Sequence, residues 1–145
     1  MTPMSHDLQR FVAAQDRGDT YARALAELRA GRKTTHWMWF VFPQRAGLGQ
    51  SEMSRRYAIG SPAEARAYVE HPVLGPRLVE SAEALLTHTD SSAREILGGI
   101  DAVKLRSSMT LFARAAPEQP VFRRVLERFY AGEADSAGWF TDGEP

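Results

Sequence analysis

The sequence contains no cysteine. Thiolates are required for disulfide bonds, for the cysteine-ligated types of zinc site and iron–sulfur cluster, and for cysteine nucleophiles. All four chemistries are therefore excluded by composition. A chain of 145 residues can bury enough apolar surface to fold without covalent cross-links.

Long apolar segments and an excess of one charge are also absent. The longest apolar run, residues 37–43, is much shorter than the roughly 20 residues of a membrane-spanning helix. Residues 1–7 lack the basic and apolar regions of a signal peptide. The 18 basic residues equal the 18 acidic ones, so the chain lacks the positive field that holds duplex nucleic acid. We expect a cytoplasmic protein without membrane contact or bulk nucleic-acid binding, and its oligomeric state stays open.

The motifs of common hydrolases and metalloenzymes are missing. There is no G-x-S-x-G elbow for a nucleophilic serine, and the 4 histidines are scattered without an H-E-x-x-H pattern. We predict no metal and no cofactor. Acid–base catalysis remains open for His36 or His71 with a carboxylate such as Glu64, Glu70 or Asp101, so whether the protein is an enzyme is undecided. For His71 the alternative is a residue that begins a helix.

Apolar residues recur at helical spacing along most of the chain, and the fold class predicted is all-α. We expect one domain over residues 1–145, a bundle of about seven to nine short helices with residues 136–145 irregular. The predicted helices span about residues 6–16, 20–30, 34–42, 51–59, 62–70, 73–87, 92–98, 101–115 and 119–131.

Several helix ends carry specific local signals. Ser5, Ser51 and Ser92 (or Ser91) can cap the helices that follow them, and Asp101 is predicted to cap another. Gly31 fits the left-handed position after a last turn. The segment S-P-A-E at residues 61–64 predicts a capping box with proline at the first helical position.

Residues 34–42 are ambiguous because a short run of large apolar side chains suits either a buried strand or a buried helix. Helix is favoured for two reasons. Thr34 or Thr35 can cap it, and no second segment has the character of a strand that could pair with it.

Residues 33–51 combine two tryptophans, a histidine and a glycine loop that leads into a helix start. Aromatic clusters are usually core, but one edge of this cluster could wall a concave site. Glycines permit close approach of a ligand, and N–H groups at a helix start favour anions. The predicted ligand-binding residues are His36, Trp37, Trp39, Gln44, Gly47, Gly49, Ser51, Arg55, Lys104 and Ser107.

Lys104 and Ser107 enter this prediction from a distant helix. Serine and threonine are poor helix formers, so the S-S-M-T run at residues 107–110 faces either another helix or a ligand. Packing between helices is the first alternative. The second is that Lys104, Ser107 and Ser108 face the same cavity as the glycine loop.

Six segments resemble those of the Domain of Unknown Function 1810 family. They are R-F-V-A-A-Q at residues 10–15, Tyr21 with A-L-A-E-L at 24–28, G-R-K-T-T-H-W-M-W-F-V-F-P-Q-R-A-G-L-G-Q-S at 31–51, Y-A-I at 57–59, E-A-R-A-Y-V-E-H-P-V-L-G-P-R-L at 64–78, and K-L-R-S-S-M-T-L-F at 104–112. The resemblance extends over nearly the whole chain. It implies an all-helical fold of a bacterial family, and it implies no activity because the family has none established.

Two functions are consistent with these features. The first is a pocket for a small anionic metabolite or nucleotide-like ligand, whether or not catalysis follows. The alternative is a protein-interaction module with an aromatic or arginine-rich surface and no catalysis. The first requires a cleft at the glycine loop, and the second requires a contiguous apolar patch on the surface.

Overall fold

A computed structural model describes residues 7–140 of the protein. The predicted cap Ser5, the helix start at His6 and the irregular end over residues 141–145 lie outside this range. Within it the chain is all-α, as predicted: helices joined by loops, with an isolated parallel bridge between Arg45 and Ile59. None of the described helices is both long and apolar enough to cross a bilayer.

The helices are named in chain order. They are α1 (Gln9–Asp16), α2 (Thr20–Ala30), α3 (Met38–Val41), α4 (Glu52–Arg56), α5 (Pro62–Glu70), α6 (Leu74–Leu86), α7 (Ala93–Leu97), α8 (Gly99–Ala115) and α9 (Val121–Tyr130). Short 3₁₀ turns at Arg17–Asp19 and Ser136–Gly138 follow α1 and α9 respectively. The second of these turns begins the part predicted to be irregular.

The local signals placed several helix ends correctly. Gly31 is left-handed with φ of 81° and ends α2. The Ser51 hydroxyl accepts the N–H of Ser54 at the start of α4. Ser92 and Glu95 form a reciprocal capping box at the start of α7. Each of these arrangements joins residues within one turn, which is why sequence spacing alone identifies them.

The predicted capping box at residues 61–64 forms only in part. The Ser61 hydroxyl accepts the N–H of Glu64, as expected for a cap. The Glu64 carboxylate instead accepts the N–H of Gly60 at 2.7 Å and pairs with Arg10 of α1 at 3.3 Å. A charged partner from another helix therefore redirects the side chain.

Other predicted bounds are wrong because of contacts distant in sequence. The helix after Ser51 ends at Arg56, and Ile59 instead hydrogen-bonds the backbone of Gln44 and Ala46. Helix α8 begins at Gly99, so Asp101 lies inside its first turn and does not cap it. Its carboxylate pairs with Lys33 at 3.0 Å.

Helix α8 lies at the centre of the fold, packed against α5, α7 and α9. It is buried on several sides, which is typical of a helix enclosed by others. Helix α6 packs on α2, α5 and α9 and completes the core. The largest fully buried side chains include Trp37, Tyr68, Phe11, Phe42, Phe112 and Phe122. The glycine loop after α3 and the segment after α9 lie over α8, and together these three parts form the site described next.

Candidate functional site

The conformation of residues 34–37 is set by one carboxylate, that of Glu27 in α2. Its donors are the Thr34 N–H (2.9 Å) and hydroxyl (3.0 Å), the Thr35 N–H (3.1 Å) and hydroxyl (2.6 Å), and the Trp37 indole N–H (2.8 Å). Burial by itself would raise the pKa of this carboxyl. The hydrogen bonds that it accepts have the opposite effect, and the bond from the Thr35 hydroxyl contributes most among them. The resulting pKa is lowered from 4.5 to about 2.

This network explains why residues 34–42 are not one helix. Thr34 and Thr35 bind Glu27 and cap nothing, so the predicted helix is shortened to α3, Met38–Val41. The backbone at Trp37 is not helical. A buried carboxylate must be hydrogen-bonded, and in this irregular conformation the two threonines supply four donors to it.

Trp37 and His36 lie on opposite sides of this turn. Trp37 is fully buried and therefore offers no surface to a ligand, which agrees with the core-packing alternative. His36 is exposed and lines none of the depressions described below; within residues 7–140 it makes no side-chain hydrogen bond. We leave both residues out of the proposed site.

The glycine loop and α8 enclose a depression of about 410 Å³. We call it the loop–α8 depression. Its lining residues are Gln44, Leu48, Gly49, Ile100, Val103, Lys104, Ser107 and Asp135. Four of the predicted binding residues, Gln44, Gly49, Lys104 and Ser107, are thus brought together although they are up to 63 positions apart in the sequence. Trp39, a fifth, lines an adjoining crevice that shares Gln44, Gly49 and Lys104 with the depression.

Besides His36 and Trp37, three predicted binding residues line neither the depression nor the crevice, and Ser108, expected to face the same cavity, is fully buried. Ser51 uses its hydroxyl to cap α4, Arg55 is exposed on α4, and Gly47 is exposed in the left-handed region with φ of 97°. Gly49 itself has a packing role, since a Cβ there would lie 2.3 Å from the Ser54 side chain. The glycines of this loop are therefore required by its own geometry.

Lys104 supplies the positive charge of the depression. Its ammonium lies 5.7 Å from the Trp39 ring centroid and 3.9 Å from Asp101. Asp101 is much closer to the ammonium of Lys33, at 3.0 Å. One carboxylate is thus shared by two lysines, which leaves a net positive charge on the three groups.

Asp135 also lines the depression, and the sequence analysis missed it. One carboxylate oxygen accepts the Ser107 hydroxyl at 2.5 Å, and the other accepts the N–H of Ala137 at 3.0 Å. Its own N–H donates to the Thr110 hydroxyl. A turn in which an aspartate carboxylate accepts the N–H two residues ahead is common. The D-S-A sequence at residues 135–137 could therefore have predicted this turn. It could not have predicted the contact between Asp135 and α8.

The catalytic candidate His71 follows α5 and lies three residues before the first residue of α6. Its Nδ1 accepts the N–H groups of Val73 at 3.0 Å and Leu74 at 3.2 Å, as in the helix-start alternative. Glu70 pairs with Arg66, Glu64 with Arg10, and Asp101 with Lys33, so none of the proposed carboxylates is hydrogen-bonded to this histidine. Within residues 7–140, no cluster of three or more histidine or acidic side chains is suited to a metal ion.

Comparisons with known proteins point to one family. A family model described as a protein of unknown function, DUF1810, matches residues 5–139. The chain is also similar to the conserved hypothetical protein Rv1873 from Mycobacterium tuberculosis, known from a crystal structure. The two share 48% identity and a TM-score of 0.88, over 91% of this chain and 93% of that one. None of the curated proteins matches the chain. With nearly its whole length matched by the family model, this chain belongs to the DUF1810 family.

Proposed function

We propose that the loop–α8 depression binds a small anionic metabolite that carries hydroxyl groups, such as a sugar phosphate or a nucleotide-like compound. The observation that carries the proposal is the position of Lys104. Its ammonium lines a concave depression of about 410 Å³ together with Gln44, Ser107 and Asp135. That volume lies within the range usual for small-molecule sites, a few hundred to about 1,000 Å³.

The anionic group of the ligand is assigned to Lys104. A lysine ammonium has three donors, and its two charged or aromatic neighbours, Asp101 at 3.9 Å and the Trp39 ring at 5.7 Å, leave room for a direct contact with an oxyanion. The shared carboxylate of Asp101 lies closer to Lys33. A partly desolvated ammonium binds phosphate or carboxylate more strongly than a fully exposed one.

The hydroxyl groups of the ligand are assigned to Gln44 and Asp135. Each carboxylate oxygen of Asp135 accepts one protein hydrogen bond and retains a second lone pair. The side-chain amide of Gln44, half-buried, makes no hydrogen bond with any side chain or backbone group in residues 7–140. An acceptor and a free amide in the same depression as a cation would orient a polyhydroxylated anion.

The test is a thermal-shift and calorimetric screen of the wild type against nucleotides, sugar phosphates and small carboxylates. A ligand specific for the native state stabilises it by about 2.7 kcal/mol at a concentration of 100 Kd. Lys104→Gln is expected to weaken binding of the hit at least tenfold. Arg55→Gln, which removes the same charge from α4, and His36→Ala should leave the affinity unchanged.

Two results would contradict this proposal. One is that no compound in these classes stabilises the protein. The other is that a hit binds equally well to the wild type and to Lys104→Gln. A catalytic role is not part of the proposal, because neither histidine that was considered for it lines the depression.

A second candidate function, a protein-interaction module, is favoured by the rim of the same depression. Ile100 and Val103, both in the lining of the depression, are 76% and 64% exposed and form an apolar pair at its edge. Aromatic residues support this function less, because Trp37 is buried and Trp39 half-buried. Self-association through the rim would appear in sedimentation velocity at rising concentration and disappear in Ile100→Glu. If the protein is a monomer at all concentrations, the protein-interaction function does not operate through self-association.

A further inference from the structure

A larger cavity lies on the other side of the segment that follows α9. It has a volume of about 620 Å³ and is enclosed by α8, α9 and residues 132–140. We call it the α8–α9 groove. Asp135 lines both this groove and the loop–α8 depression, so the segment that contains it separates the two.

The walls of the groove are largely apolar and aromatic. Leu126 and Ala113 contribute apolar surface from α9 and α8, and Trp139 and Phe140 contribute their rings from the end of the described chain. These two rings pack edge to face with centroids 5.3 Å apart. Such rings provide flat surfaces on which another aromatic ring can stack.

Two arginines, Arg114 and Arg123, line the groove, and within residues 7–140 neither forms an ion pair or a side-chain hydrogen bond. The Arg114 guanidinium lies 4.7 Å over the Trp139 ring, which positions it. Among the residues of 7–140 that line the groove, Asp135 is the only acidic one. One of its carboxylate oxygens is hydrogen-bonded to Ser107 and the other to Ala137. The groove therefore carries a net positive charge.

From the pairing of these groups we infer that the α8–α9 groove is a second ligand site, which binds a planar aromatic compound bearing a phosphate or carboxylate. The ring lies in the corner between Trp139 and Phe140, stacked on one of the two rings and against the edge of the other, and the anion is held by Arg114 and Arg123. Guanidinium groups bind both kinds of oxyanion through paired N–H donors. The inference is independent of the function proposed for the loop–α8 depression, since it uses different cations and a different cavity.

The experiment measures binding by calorimetry with four probes: adenosine monophosphate, adenosine, ribose 5-phosphate and indole-3-acetate. The first and the last combine a ring with an anion, and each of the other two lacks one of these parts. In Lys104→Gln, which lacks the cation of the loop–α8 depression, we expect at least one of the combined probes to bind at least tenfold more tightly than adenosine and ribose 5-phosphate. Arg123→Gln and Arg114→Gln should each weaken that binding at least fivefold.

Two control variants separate this site from the loop–α8 depression. Arg124→Gln removes a neighbouring exposed charge of α9 that does not line the groove, and Lys104→Gln removes the cation of the other site. Arg124→Gln is expected to bind the combined probes like the wild type, and Lys104→Gln should retain the binding that depends on Arg114 and Arg123. Trp139→Leu should weaken binding, and Trp139→Phe should retain most of it.

The inference is overturned if neither combined probe binds, or if binding is unchanged in both arginine variants. It is also overturned if ribose 5-phosphate binds Lys104→Gln, in which the loop–α8 depression lacks its cation, as tightly as the combined probes do, because the aromatic wall would then contribute nothing. If Lys104→Gln alone abolishes the binding, the ligand occupies the loop–α8 depression, and the groove is not a site for it.

Discussion

The indole N–H of Trp37 donates to the Glu27 carboxylate over 2.8 Å, and both side chains are buried. The same carboxylate accepts the N–H and hydroxyl groups of Thr34 and Thr35. The aromatic segment that leads to the loop–α8 depression is therefore anchored to α2 through a single side chain.

We predict that Glu27→Gln strongly destabilises the protein. The amide nitrogen of glutamine cannot accept a hydrogen bond, so buried donors lose their partner at a cost of about 2–4 kcal/mol. Urea unfolding followed by tryptophan fluorescence measures this loss. Glu83→Gln, at an exposed position of α6, is the matched control and should change the free energy of unfolding by less than about 0.5 kcal/mol. Equal stability of the two variants would mean that the network contributes little.

Glu27 also predicts an acid-sensitive component of stability. Its pKa is lowered from 4.5 to about 2 in the folded protein, so the stabilisation is complete above pH 4.5 and is lost as the pH falls toward 2. The shift corresponds to a loss on the order of 3 kcal/mol. The measurement is the free energy of unfolding of the wild type minus that of Glu27→Gln, at pH 6 and at pH 3. A difference that is the same at both pH values would contradict the prediction.

His71 is predicted to matter for stability through its contacts with the backbone. Its Nδ1 accepts two N–H groups at the start of α6, and removing a side-chain cap costs about 1 kcal/mol. His71→Ala should lower the free energy of unfolding by about that amount, and His71→Asn should recover most of it. His36→Ala, at an exposed histidine, is expected to be nearly neutral. Failure of asparagine to recover stability would argue against the capping role.

Gly75 permits close contact between α5 and α6. A Cβ at this position would lie 2.1 Å from the backbone oxygen of Val69, which cannot move away as a side chain can. Gly75→Ala should therefore destabilise the protein by at least about 2 kcal/mol. Gly99→Ala in the first turn of α8 is the control, because the nearest atom to its Cβ is 3.8 Å away; it should be neutral or slightly stabilising. Thermal unfolding measures the stability of both variants, and equal stability would contradict the packing role of Gly75.

The sequence by itself determined the all-α class and the helix ends that depend on local bonds. Gly31, Ser51 and Ser92 act on groups within one helical turn, so their spacing contains all the information required. It also indicated that Gln44, Lys104 and Ser107 could share a cavity, and the structure brings them together at the loop–α8 depression.

Only the tertiary structure decided which polar groups meet across the chain. The threonines predicted to cap a helix are bound by Glu27 from the preceding helix, and Asp135 reaches Ser107 from 28 positions away. Of the adjacent residues His36 and Trp37, one is exposed and the other buried. The reason is that buried carboxylates and indoles take whichever partners the packing of the helices provides, and residue spacing within a segment contains no information about that packing.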